Sequence, residues 1–139
     1  MWYSIHMVTN NPHYTVYDKN CPSRYVLALI SDKWTALVVG SLEAGPRRFS
    51  ELRREIDGIS QKMLTQTLRD LEKNGIVHRT IYAEVPPRVE YRLTSLGKSL
   101  MQPLATIRSW SEAHIAEIQS ARMTYESKND GKTPTIPSG

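Results

Sequence analysis

Long apolar runs are missing from this 139-residue chain. None approaches the roughly 20 residues that a membrane-spanning helix needs, so no span is expected. The opening residues, MWYSIHMVTNN, have neither the charged start nor the apolar centre of a secretory signal, which points to a cytoplasmic protein. Cysteine is nearly absent. Cys21 stands alone, which excludes an internal disulfide framework and suits a reducing compartment. Four histidines (His6, His13, His78 and His114) lie far apart, without the spacing of metal ligands, so no metal or other cofactor is expected. Glycine-rich phosphate loops and nucleophile–base signatures are also lacking, which argues against an enzyme. Neither sign of charge dominates. The net charge of +4 and pI of about 9.3 permit an anionic partner without demanding one. Residues 47–92 hold ten Lys/Arg against seven Asp/Glu, so the placement of these charges matters more than their sum.

What is present is an ordinary globular composition, 40% hydrophobic and 23% charged, in a chain of single-domain size. The most informative stretch is RRFSELRREIDGISQKMLTQTLRDLEKNGIVHRTIYAEVPPRVEYRLTSL, residues 47–96. Two short helical patterns, a glycine stop and a strand–turn–strand follow one another there. That order is the signature of a winged helix-turn-helix, which places its second helix in the DNA major groove.

Before it, residues 1–20 read as an arm, with Asn10, Asn11 and Pro12 breaking any period. Pro22 suits a first helical turn, and a short helix is expected through Arg24–Ile30. Ser31 and Asp32 are capping residues for a helix with Trp34, Leu37, Val38 and Leu42 at helical spacing. Gly45 and Pro46 stop it. Arg47–Phe49 suits a short strand. Ser50 is expected to cap a helix with Leu52 and Ile56 inward, and Asp57-Gly58 makes a turn. Ser60 then caps a helix whose stripe is Leu64, Thr67, Leu68 and Leu71, ended by Asn74-Gly75. Residues 77–83 and 88–94 alternate as strands around Pro86-Pro87. From Thr94 or Ser95 a helix is expected to about Arg122, with Leu96, Leu100, Leu104, Ile107, Trp110, Ile115 and Ile118 on its apolar face and a kink or division at Pro103. Residues 123–139 read as a flexible tail.

With Leu64, Leu68 and Leu71 inward, the opposite face of the 60–74 helix carries Lys62, Thr65, Gln66, Arg69 and Lys73. Gln pairs bidentately with adenine, Arg or Lys with guanine, and the Thr methyl meets the thymine methyl. Any surface helix carries such residues. The turn and the hairpin around this one give them meaning. Ser60 and Gln61 open the same helix. Arg88, beside the hairpin tip, is expected to enter the minor groove or hold a phosphate; the alternative is a solvated turn cation paired with Glu84 or Glu90. Ser50 and Arg53 are further phosphate candidates; Arg47 and Arg48 either do the same or simply solubilise the strand.

The chain resembles the HxlR-type regulators, bacterial winged-helix proteins akin to the MarR group. The resemblance lies in Cys21-Pro22, Asp32-Lys33-Trp34-Thr35, Gly45-Pro46-Arg47-Arg48-Phe49-Ser50-Glu51-Leu52, Ile59-Ser60-Gln61-Lys62-Met63-Leu64 and Val85-Pro86-Pro87-Arg88-Val89-Glu90-Tyr91. It runs from about Cys21 to Ile118 and leaves out the arm and the tail. It implies a homodimer on pseudo-palindromic double-stranded DNA, with the 60–74 helix reading bases and the 77–94 hairpin as wing. Some members sense oxidants, quinones or other electrophiles through an N-terminal cysteine, and Cys21 matches that position. A thiol at a helix start with Lys19 and Arg24 nearby in sequence favours the thiolate. The alternative is an inert, packed cysteine. Without a second cysteine, oxidation would end in an intersubunit Cys21–Cys21 bond, a mixed disulfide or an adduct.

The expected fold is therefore mainly α with a small β-hairpin wing (α+β), a winged helix-turn-helix domain over residues 21–122 with N- and C-terminal dimerisation helices. One reading helix covers few base pairs, and a two-fold pair matches an inverted repeat. The dimer candidates are Leu104, Ile107, Trp110 and Ile115; the alternative is that this helix only completes its own core. Two rival functions remain. One is a winged helix that binds protein or RNA. The other is a dimeric regulator controlled by a non-covalent ligand near Trp34, Tyr25, Tyr91 and Trp110, with Cys21 structural.

Overall fold

A computed structural model describes residues 15–130. They form α1 (Pro22–Ile30), α2 (Lys33–Leu42), β1 (Arg47–Arg48), α3 (Phe49–Glu55), α4 (Gln61–Lys73), β2 (Val77–Tyr82), β3 (Arg88–Leu93), α5 (Ser95–Ser99) and α6 (Met101–Asn129). Two compact units result, one reaching Gln102 and one starting at Pro103. Most of the expected arm, with Trp2, Tyr3 and Tyr14, lies outside the described residues, as does the chain beyond Asp130.

The first unit is a winged helix-turn-helix. Its core is Val38, Val39 and Leu42 of α2, Leu52 and Ile56 around α3, Leu64, Leu68 and Leu71 of α4, and Ile76, Val77 and Leu93 of the sheet. The three strands are antiparallel in the order β1-β3-β2, with Arg47 opposite Tyr91 and Val77 opposite Leu93. The α4 stripe of Leu64, Thr67, Leu68 and Leu71 is buried as its 3.6-residue period predicts. In α2 the stripe differs from the expected one. Thr35, Val38, Val39 and Leu42 are buried, whereas Leu37 is exposed and Trp34 only half-buried. Asp32 accepts from the backbone N–H groups of Trp34 and Thr35 at 2.8 and 3.3 Å and fixes where the helix begins. Two overlapping stripes then fit the same period, and the one rich in compact β-branched residues is the one that packs.

The start of α3 also differs. Ser50 does not cap it, because the helix begins at Phe49 with Arg48 as the capping residue. Pairing with β3 holds Arg48 extended. Its backbone N–H donates to the Glu51 carboxylate at 2.8 Å, so the helix needs no serine cap and Ser50 falls in its exposed first turn.

Thr94 joins sheet and helix. Its N–H donates to the Ile76 carbonyl at 3.0 Å, its hydroxyl donates to the Gly75 carbonyl at 2.6 Å, and its hydroxyl oxygen accepts from the Gly97 N–H at 3.0 Å. Gly75, at φ +75°, takes the left-handed turn that ends α4. The helix that follows divides at Leu100, so Pro103 sits in the first turn of α6, where its missing N–H costs nothing.

The second unit carries the rest of α6, which runs to Asn129, past residue 123 where the tail was expected to begin. The signal there was polarity. Arg122, Met123, Glu126 and Lys128 are nonetheless good helix formers, and no glycine or proline intervenes before Gly131. Among the described residues no single helix is long and apolar enough to cross a membrane.

Candidate nucleic-acid interface

Ser60 starts α4 by accepting from the Met63 N–H at 3.0 Å. Once the leucine stripe is buried, helical geometry leaves Gln61, Lys62, Gln66, Arg69 and Lys73 exposed and Thr65 half-buried. The Thr65 hydroxyl donates to the Gln61 carbonyl at 2.8 Å. The Gln66 amide donates to the Asp70 carboxylate at 3.1 Å, so Asp70 holds this side chain until a better partner arrives. Among the described residues no carboxylate lies in ion-pair range of Lys62, Arg69 or Lys73. The face is cationic and open, and it offers the donors that read guanine and adenine edges.

Two depressions adjoin it. One, of about 540 Å³, is lined by Phe49, Ser50, Arg53, Arg54 and Gln61, and so lies between α3 and the start of α4. The other, of about 460 Å³, is lined by Arg48, Phe49 and Ser50 on one side and residues 84–89 of the wing on the other. Arg48, Arg53 and Arg54 are exposed and make no ion pair among the described residues. The sequence reading singled out Arg53 but missed Arg54 and Phe49. The available signal was the Arg53-Arg54 pair itself. On a seven-residue helix with only Leu52 fully buried, both neighbours stay on the solvent side.

Three other arginines are engaged. Arg47 pairs with Glu55 at 3.0 Å and Arg79 with Glu72 at 3.4 Å. Arg88 is held most firmly. It meets Glu84 at 3.0 Å and Glu90 at 2.5 Å, and its guanidinium lies 3.9 Å from the centre of the Tyr82 ring. The ladder explains this, since Tyr82 is the direct cross-strand partner of Arg88 and Glu90 follows two residues along the same face. The bond to Glu84 is the main cause of a pKa raised above the usual arginine value; desolvation opposes it, and the charges of both glutamates add to it. The wing arginine expected at a phosphate is thus paired with both carboxylates that its alternative reading named.

Cys21 is the residue that caps α1, in extended conformation, as the helix-start reading expects. It is only 5% exposed, and its Sγ lies 2.9 Å from the Ser23 hydroxyl oxygen. Among the expected dimer residues, Leu104 is 3% exposed within a single copy, so little of it is left for a partner to cover. Ile107, Trp110 and Ile115 are at least half exposed, and the Trp110 ring stacks on His114 with centroids 4.6 Å apart. Among the described residues no group of three His, Cys, Asp or Glu is placed to hold a metal ion.

Known proteins with this arrangement were found in sequence and in structure. The profile of the HxlR-like helix-turn-helix family matches residues 29–119, from the end of α1 into α6, and leaves Cys21 outside the matched span. The uncharacterised HTH-type transcriptional regulator YtfH of Escherichia coli (strain K12) is 41% identical over 107 residues, covering 77% of this chain and 85% of its own. The solved structure of the YtfH regulator from Salmonella typhimurium superposes with a TM-score of 0.74 at 38% identity, over 78% of this chain and 97% of that one. The reduced form of the redox regulator HypR superposes at 0.66 with 39% identity, over 71% of this chain and 98% of its own. These relatives are regulators and not enzymes. The helix-turn-helix, its hairpin wing and the agreement over most of the chain make this protein a member of the HxlR-like helix-turn-helix family of DNA-binding transcriptional regulators.

Proposed function

We propose that the protein acts as a homodimer on an inverted-repeat operator. In this reading α4 reads base edges through Lys62, Thr65, Gln66, Arg69 and Lys73, while Ser50, Arg53, Ser60 and Gln61 meet the backbone beside it. The observation that carries the proposal is the exposed outer face of α4, whose Lys62, Arg69 and Lys73 make no ion pair among the described residues, next to a cleft lined by arginines. Two-fold pairing is supported by the exposed apolar side chains of α6, because Ile107, Trp110 and Ile115 in water favour association. The sites of action would then be cytoplasmic. Selection of genomic fragments by the purified protein, followed by binding across a salt series, tests this. An enriched inverted repeat bound less tightly as salt rises is the expected result. Binding to RNA or protein with no preference for any duplex would refute it.

The signal is the finer part of the proposal. Control through Cys21 is supported by its place at the start of α1 and by the likeness to HypR, a redox regulator solved in reduced and oxidised forms. An oxidised or alkylated Cys21 would no longer fit its buried site, and α1 would have to shift. The same burial favours a second reading, in which a non-covalent ligand is the signal and Cys21 only packs. Operator binding before and after diamide or quinone, with Cys21→Ser as control, separates them. A response confined to the wild type supports the sensor, and an equal response of both proteins supports the ligand.

A further inference from the structure

The two clefts beside α3 share Phe49 and Ser50 but differ in their carboxylates, since Glu84 lines the wing-side one and no Asp or Glu lines the other. On the α4 side, Arg53 and Arg54 have no carboxylate in ion-pair range among the described residues. On the wing side, Arg88 is enclosed by Glu84, Glu90 and the Tyr82 ring, with Arg48 as the other cation lining the cleft. A phosphate approaching the wing tip meets the Glu84 carboxylate together with the apolar, fully exposed Val85. To bind it, Arg88 would have to give up two ion pairs and a ring face, whereas Arg53 and Arg54 give up only water. Charge-assisted bonds to carboxylate and to phosphate are of comparable strength, so such an exchange gains little.

We infer that Glu84 and Glu90 withhold Arg88 from DNA, and that Arg53 and Arg54 in the α3–α4 cleft anchor the duplex backbone in its place. The inference rests on the reading of the protein as a duplex-DNA binder. Arg88 becomes a brace that ties the two ends of the hairpin tip together. The cleft arginines release the counterions that make binding depend on salt.

The test is the slope of log affinity against log salt on one operator duplex, measured for the full chain and its variants. Each phosphate contact contributes about 0.9 to that slope. Arg53→Gln with Arg54→Gln should flatten it by about 1.8, and Arg88→Gln should leave it unchanged. Glu84→Gln with Glu90→Gln should free Arg88 and steepen the slope by about 0.9. That gain should vanish when Arg88→Gln is added, which separates a freed arginine from a general loss of repulsion. A gain cannot come from misfolding. Flattening by Arg88→Gln alone, no flattening by the cleft pair, or a gain that survives without Arg88 would each overturn the inference. Failure of the wild type to bind any duplex would instead overturn the functional reading beneath it.

Discussion

Gly97 sets α5 directly against the backbone of Ile76. A Cβ there would lie well inside contact distance of the Ile76 carbonyl oxygen. That carbonyl already accepts from the Thr94 N–H, so it is not free to move. Alanine in a helix interior ordinarily gains about 1 kcal/mol over glycine. Overpacking against fixed backbone costs about 1–3 kcal/mol and no change of rotamer relieves it, so the clash wins. Gly97→Ala should lower the urea midpoint; an unchanged or raised midpoint would contradict the packing described. Tyr91 gives a pH dependence. Burial pushes its phenol above the usual value, with Arg79 partly offsetting the shift. A raised acid pKa means that the folded chain keeps the proton longer than the unfolded one. The stability this provides is complete below about pH 10 and is lost as pH rises through the folded-state value. Unfolding curves between neutral and strongly alkaline pH should therefore fall less steeply for Tyr91→Phe than for the wild type.

At the scale of the element, α4 separates its tasks by face. The buried stripe holds the helix to the core, and the opposite face is spared from packing. Gln66→Ala and Arg69→Ala should leave the unfolding midpoint nearly unchanged and relax sequence preference on a panel of operator variants, with ~1–3 kcal/mol of discrimination lost per base contact. Because Gln66 must leave Asp70 to reach a base, Asp70→Ala should not weaken binding. Equal preference of wild type, Gln66→Ala and Arg69→Ala across the panel would remove this face from the interface. The hairpin shows the reverse case. Its strands, turn and flanking charges were legible as an alternating pattern around Pro86-Pro87, but the register that sets Tyr82 against Arg88 was not. That register turned a free tip cation into a braced one.

For the whole molecule, the proposed dimer must bring two copies of α4 to half-sites about 34 Å apart. The exposed apolar side chains of α6 supply the means in the proposed dimer. Ile107→Glu and Trp110→Glu should shift sedimentation from dimer to monomer at micromolar concentration and lower operator affinity. Unfolding of the unit that ends at Gln102 should be little altered, because both side chains are more than half exposed in the single copy. A wild type that stays monomeric both free and on DNA would remove the proposed assembly.

Local chemistry alone determined most of the fold. Caps at Asp32, Ser60 and Thr94, left-handed glycines at 58 and 75, the period of the α4 leucines and the alternation of the hairpin each act over a few residues, so they can be read from the chain. What required tertiary structure was each choice between near-equivalent options. Val38 and Val39 with Thr35 won over Leu37 because two stripes share one helical period and only the surrounding core selects between them. The polar end of α6 stayed helical because polarity by itself does not break a helix. Arg88 was committed to Glu84 and Glu90, and Arg53 and Arg54 were left open, because ion pairing depends on which side chains the sheet and the turn bring within a few ångströms. Composition records how many charges there are. Only the folded chain decides which of them remain for DNA.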